Sequence, residues 1–159
     1  MNRQIKQELA LQVLKKFRVI YGSVRQHYRE IEKTCGVTGS QLWIIQEVGN
    51  SPGIGVSLLA EQLSIHQSTC SLLVEKLVSR KLLRKERSKL DQRRVGLYLT
   101  ENADNVLKKA PGPAEGLLPM ALRSIETGEI KTLNSSLEKV ILQLQIKDET
   151  LADQPLSDL

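Results

Sequence analysis

Residues 59–100 read LAEQLSIHQSTCSLLVEKLVSRKLLRKERSKLDQRRVGLYLT, and the change of hydrophobic period inside this stretch decides the fold. Up to Arg80 the apolar residues recur at three- and four-residue steps, which predicts two helices, Ser57 to Leu63 and Gln67 to Arg80, separated only by Ser64, Ile65 and His66. Two helices joined by about three residues must cross at a steep angle, as in a helix-turn-helix. After Leu82 the period shortens. Val95, Leu97 and Leu99 alternate with Gly96 and Tyr98, which predicts a half-buried strand, and Leu82 to Arg87 can pair with it as the other arm of a hairpin. A hairpin directly after the second helix makes a winged helix-turn-helix. Its tip, KERSKLDQRR (85–94), holds five cationic and two anionic side chains. Like charge at that density opposes folding, so the stretch is either a solvated loop or a surface meant for a polyanion.

Upstream, VTGSQL places Thr38 and Gln41 at capping-box spacing and Val37 and Leu42 at staple spacing. A helix is therefore expected from near Ser40 to about Val48, followed by a loop over GNSPGIG (49–55). Before it, Ile5, Leu9, Val13, Leu14, Phe17, Tyr21, Val24, Tyr28 and Ile31 draw one stripe along a helix of roughly 30 residues. Cys35-Gly36 ends that helix like a glycine cap. A helix this long cannot bury its stripe in so small a domain and should pack against a second copy of itself or another long helix. Downstream, Thr100 can cap a further helix, which APGP (110–113) interrupts, and the chain resumes over about Ala114 to Ile125. After Gly128, Ile130, Leu133, Leu137, Val140, Ile141 and Leu144 mark a last amphipathic helix. The acidic tail KDETLADQPLSDL, from Lys147 onward, is expected to be flexible. The domains then run 1–36, 37–100, 101–147 and a 148–159 tail: dimerisation helix, winged helix-turn-helix, dimerisation helices, tail.

The chain has 159 residues, a length suited to one domain with helical extensions. Aromatic content is only 3%, which leaves the core to Leu, Ile and Val and argues against an aromatic-lined sugar or base platform. No apolar run approaches the roughly 20 residues of a membrane span, and the start lacks a secretory hydrophobic region, so a cytoplasmic location is expected. Charge is distributed unevenly. Residues 1–100 hold 17 Lys/Arg against 8 Asp/Glu, whereas residues 101–159 hold 6 against 10. That asymmetry is the footprint of a polyanion-binding face, although a merely soluble surface would look similar.

The stretch from Leu59 to Thr100 resembles the multiple antibiotic resistance regulator (MarR) family of bacterial transcription factors, with Asp91, Arg93 and the Leu99-Thr100 pair at the family's offsets in the wing. The long flanking helices resemble its dimerisation region. The chain departs from the pattern at Ser64 and Lys81, where members commonly have Gly, and at Leu72, a recognition-helix position often held by Arg. The resemblance implies a mainly α winged helix-turn-helix homodimer that binds duplex DNA at a pseudo-palindromic operator, acts as a repressor, and is relieved by a small aromatic or phenolic ligand seated where the long helices meet the winged lobe.

Within the recognition helix, Cys70, Leu73, Val74 and Leu77 share one face and should be buried. Gln67, Ser68, Thr69, Ser71, Leu72, Glu75 and Lys76 are then turned outward. Gln67 can pair with adenine, Ser68, Thr69 and Ser71 with bases or phosphates, and Leu72 can touch a thymine methyl. On the wing, Arg93 resembles the family's minor-groove arginine and Asp91 the carboxylate that orients it, while Lys85, Arg87, Lys89 and Arg94 would contact phosphates. Two other classes remain open: a winged-helix module for protein partners, and a thiol enzyme built on His66 and Cys70. The latter is disfavoured because Cys70 belongs to the core face. No catalysis, metal or cofactor is expected. Cys35 has only Lys33 beside it to favour a thiolate, so it reads as an inert thiol rather than a redox switch.

Overall fold

The computed structural model describes residues 2–112, 116–146 and 148–159. A 34-residue helix, α1 (Asn2–Cys35), leads into α2 (Gly39–Asn50), α3 (Val56–Leu63) and α4 (Gln67–Ser79), then a hairpin of β1 (Leu83–Arg87) and β2 (Val95–Leu99), and finally α5 (Glu101–Lys108), α6 (Leu117–Ser124) and α7 (Thr127–Leu144). Pro113 of the expected helix break, the expected helix start at Ala114, and Lys147 at the head of the tail lie outside the described residues.

Local chemistry explains each boundary. Gly36 takes a left-handed φ of 71° and stops α1. Thr38 closes a full capping box, accepting the Gln41 N–H while its own N–H donates to the Gln41 side chain. That helix continues to Asn50, through Gly49 and Asn50 that composition assigns to the loop. Thr100 caps α5 by accepting from Ala103, and its hydroxyl donates to the Lys81 carbonyl at 2.6 Å, which ties the wing's end to the end of α4.

The core belongs to the winged lobe. Leu42, Ile44, Ile45, Leu59, Cys70, Val74, Leu77, Leu83 and Leu97 are fully or almost fully buried, and Ile31 brings the end of α1 onto the same cluster. The hairpin is antiparallel with Leu83 opposite Leu99 and Arg87 opposite Val95. Ile54, in the α2–α3 connection, bridges to Leu97 on the other side of β2. Gly96 permits this: a Cβ there would meet the Gly53 carbonyl oxygen at 2.9 Å and its Cα at 3.0 Å.

Outside this lobe the long helices bury little. Ile5, Leu9, Val13, Leu14, Phe17 and Tyr21 on α1, and Val140, Ile141 and Leu144 on α7, are exposed. The 148–159 segment, expected to be flexible, forms two 3₁₀ turns, Glu149–Asp153 and Leu156–Asp158, and lies against the start of α2, with Pro155 buried. Its anchors are backbone amides and hydroxyls, which leave no periodic mark in a sequence.

Candidate nucleic-acid interface

Two surfaces meet around the recognition helix α4. His66 caps that helix, its Nδ1 accepting the Ser68 N–H at 3.2 Å and lying 2.7 Å from the Ser68 hydroxyl. The cap leaves the first turn's remaining amides at an open helix N-terminus, where positive dipole collects. Gln67, Ser68, Leu72 and Lys76 are exposed and Thr69 and Ser71 half-buried, while Cys70, Leu73, Val74 and Leu77 face the core. The two faces divide as the spacing predicts. Leu72 is 65% exposed, an apolar side chain on an otherwise polar face.

The backbone at Ser64 and Lys81 is left-handed, with φ of 53° and 59°. Both residues sit where the MarR pattern commonly has Gly, so the turn geometry is kept and the strain is accepted. Ser64 is the C-cap of α3, and the turn it opens sets the angle at which α4 stands.

On the wing, Lys89, Asp91, Arg93 and Arg94 are exposed at the tip. Ser88 organises that tip, its hydroxyl accepting the N–H groups of Leu90 and Asp91, and Arg87 reaches the Gln92 carbonyl at 3.5 Å. Asp91 Oδ1 accepts the main-chain N–H of Arg93 at 3.0 Å, and the carboxylate's ion pair, 3.9 Å long, is with Arg94. The orienting role expected of Asp91 thus falls on the Arg93 backbone, as in an Asx turn, and not on its guanidinium. Lys85 pairs with Glu75 of α4, which couples hairpin to recognition helix and engages a cation expected to be held for phosphates.

Sequence reading missed three parts of this surface. Arg84 pairs with Glu86 and stacks 4.7 Å over the Tyr98 ring, which places it on the wing's face; its alternation along β1 was the available signal. The 52–58 segment, the end of the α2–α3 connection and the first turn of α3, forms the far wall of a groove shared with Arg87, Lys89, Arg93 and Arg94, and its connecting part has no period to read. Leu90, at the wing tip, is fully exposed.

The arrangement does not build a nucleophile. The His66 ring is committed to Ser68, and burial pushes the Cys70 thiol up to about 11, the reverse of what thiolate chemistry requires. Burial also raises the Cys35 thiol, with Lys109 opposing it weakly. Among the described residues no group of three His, Cys, Asp or Glu side chains could hold a metal ion, and no helix is long and apolar enough to cross a membrane.

Known proteins resemble this chain in sequence and in fold. A family model described as MarR family matches residues 36–94, from the glycine that ends α1 to the tip of the wing. The HTH-type transcriptional regulator MgrA of Staphylococcus aureus is 24% identical over 117 residues, which span 74% of this chain and 78% of MgrA. Among solved structures, the transcriptional regulator BldR from Sulfolobus solfataricus aligns with a TM-score of 0.54 at 24% identity, over 87% of this chain and 98% of BldR. A mutant of S. aureus MepR, bound to an oligodeoxyribonucleotide, aligns with a TM-score of 0.53 at 18% identity, over 83% of this chain and 97% of MepR. At such identities the two structures speak to fold alone.

Proposed function

We propose that this chain is a MarR-family, duplex-DNA-binding transcriptional regulator that works as a homodimer in the cytoplasm and represses until a small ligand relieves it. The observation that carries the reading is the Lys85–Glu75 pair, which ties the cationic wing to the recognition helix whose polar side chains are exposed. Neither feature has a purpose in stability: like charges at 85–94 repel, and exposed helix amides gain nothing from water that they would not gain from phosphate. The name of MgrA, a transcriptional regulator, supports the same class.

In this reading Gln67, Ser68, Thr69, Ser71, Leu72 and Lys76 face the major groove, and Arg93 enters the neighbouring minor groove. Arg87, Lys89 and Arg94 meet phosphates. Residues 37–100 form the reading head, and the exposed stripes of 1–36 and 101–147 form the dimer. Two heads related by a two-fold axis stand about one helical turn apart, roughly 34–36 Å, so the site is a pseudo-palindrome. An apolar cavity of about 270 Å³ between α1 and α6, lined by Val19, Val24, His27, Tyr28 and Leu117, suits a small aromatic or phenolic effector. A ligand there would act by changing the spacing of the heads. The chain catalyses no reaction and needs no cofactor or metal.

The test is selection of bound duplexes from a random pool by the purified protein. Recovery of a two-fold symmetric sequence is the expected result; a pool that stays random through successive rounds would overturn the reading.

A further inference from the structure

One short segment reaches both the start of α2 and the residue that caps α4. The Ser40 N–H donates to Ser157 Oγ at 3.0 Å, the Ser40 hydroxyl donates to Asp158 Oδ1 at 2.9 Å, and the His66 N–H donates to the Asp153 carbonyl at 3.1 Å. Ser157 in turn donates to Asp158, so hydroxyl and carboxylate form one unit over the α2 terminus. Packing backs these bonds independently. Pro155 is buried, and Gly39 has no room for a side chain, because a Cβ would meet Tyr28 at 2.3 Å and Ser157 Cβ at 3.1 Å. Asp158 also lies near enough to Tyr28 to raise its hydroxyl pKa, second to burial.

The chemistry of the segment is that of a polyanion. Residues 148–159 contain Asp148, Glu149, Asp153 and Asp158 and no Lys or Arg. They lie against the winged lobe, and the first 100 residues of the chain, which include that lobe, carry its excess of positive charge. Amides at helix N-termini are the donors that phosphate oxygens seek, and here His66 immediately precedes Gln67 and Ser68, the first residues of the recognition helix. On the proposed reading a duplex meets the start of α4 beside His66, whose N–H the Asp153 carbonyl holds. Yet the hold is slight: Leu151, Leu156 and Leu159 remain exposed, so little apolar surface keeps the segment in place.

We propose that residues 148–159 are an internal competitor for DNA, an acidic strap that docks on the starts of α2 and α4 and must leave before a duplex can seat. The inference rests on the DNA-binding reading above. Binding of DNA and docking of the strap are then linked, and the apparent affinity is reduced by the fraction of molecules with the strap docked.

Two variants of the full chain separate docking from mere charge. One neutralises the strap (Asp148→Asn, Glu149→Gln, Asp153→Asn, Asp158→Asn); the other, Pro155→Gly with Ser157→Ala, disrupts the dock without altering charge. The probe is a fluorescent duplex of generic sequence at low salt, with hydrogen exchange at the Ser40 and His66 amides as a readout that needs no DNA. A strap docked nine-tenths of the time predicts about tenfold tighter duplex binding by both variants, with faster exchange at Ser40 and His66. Faster exchange without tighter binding in the Pro155→Gly, Ser157→Ala variant would overturn the competition while leaving DNA binding intact. Unchanged exchange in that variant would overturn the docking. Absence of duplex binding by the parent and both variants would overturn the DNA reading, and the competition with it.

Discussion

Asp91 holds Arg93 by its main chain, Oδ1 accepting the Arg93 N–H at 3.0 Å, and leaves the guanidinium exposed beyond it. The carboxylate therefore shapes the wing tip instead of neutralising the arginine. Asp91→Asn keeps an acceptor oxygen at that position and should retain most DNA affinity, whereas Asp91→Ala loses the turn and should weaken binding by about 1 kcal/mol, the worth of one such hydrogen bond. Fluorescence anisotropy on a selected duplex separates the two. Equal losses for Asn and Ala would mean that the charge matters and the turn does not.

Lys81 and Ser64 are held at left-handed φ by the structure around them. Replacing either with Gly removes a Cβ penalty of roughly 1 kcal/mol, offset in part by the freedom Gly gains in the unfolded chain. Lys81→Gly should raise the melting temperature by a few degrees, read by circular dichroism. Gly96→Ala should do the opposite, because its new methyl would press on the Gly53 backbone, which must shift. A neutral Gly96→Ala would show that the contact between wing and the α2–α3 connection is loose.

On the proposed reading the exposed stripe of α1 is the contact between two copies of the chain. Leu9→Glu together with Phe17→Glu should convert the dimer to a monomer in sedimentation equilibrium and abolish binding to a two-fold symmetric duplex at concentrations where the parent saturates it. The winged lobe, whose core does not include either residue, should keep its helical signal. A dimer that survives both charges would place the interface elsewhere.

Cys70 is fully buried and its thiol is pushed up to about 11. Its folded-state pKa lies above the unfolded value, so the folded chain holds the proton more tightly. The stability this gives is complete below the ordinary thiol value of 9.0 and is lost as pH rises toward 11. Alkaline unfolding in that window should be relieved in Cys70→Ala relative to its own neutral-pH stability. Peroxide at doses that spare the fold should leave DNA affinity unchanged, since burial raises both thiols; loss of binding that Cys35→Ser prevents would contradict this.

Much of the molecule is legible from periodicity. The switch from Cys70, Leu73, Val74 and Leu77 to Val95, Leu97 and Leu99 marks the helix and the wing, and the same residues are buried or half-buried in the structure. The capping box at Thr38 and Gln41 is a local code read directly. What escaped reading depends on long-range polar contacts. Nothing in Ser157 or Asp158 announces that they meet Ser40, 117 and 118 residues away. Lys85 looks free until β1 brings it against Glu75, and Ile54 looks like loop until it bridges to Leu97.

The central claim is that the wing and recognition helix bind duplex DNA, and a salt titration tests it most directly. Parent, Lys89→Ala and Arg93→Ala are first checked for fold and dimer mass, then titrated with a selected duplex across a range of monovalent salt. The account predicts a linear, steep fall of log affinity with log salt, because each phosphate contact releases condensed counterions. Lys89→Ala should reduce the slope by about 1, and Arg93→Ala should weaken binding by about 1–3 kcal/mol. A folded, dimeric Arg93→Ala protein that binds as tightly as the parent at every salt concentration would contradict it.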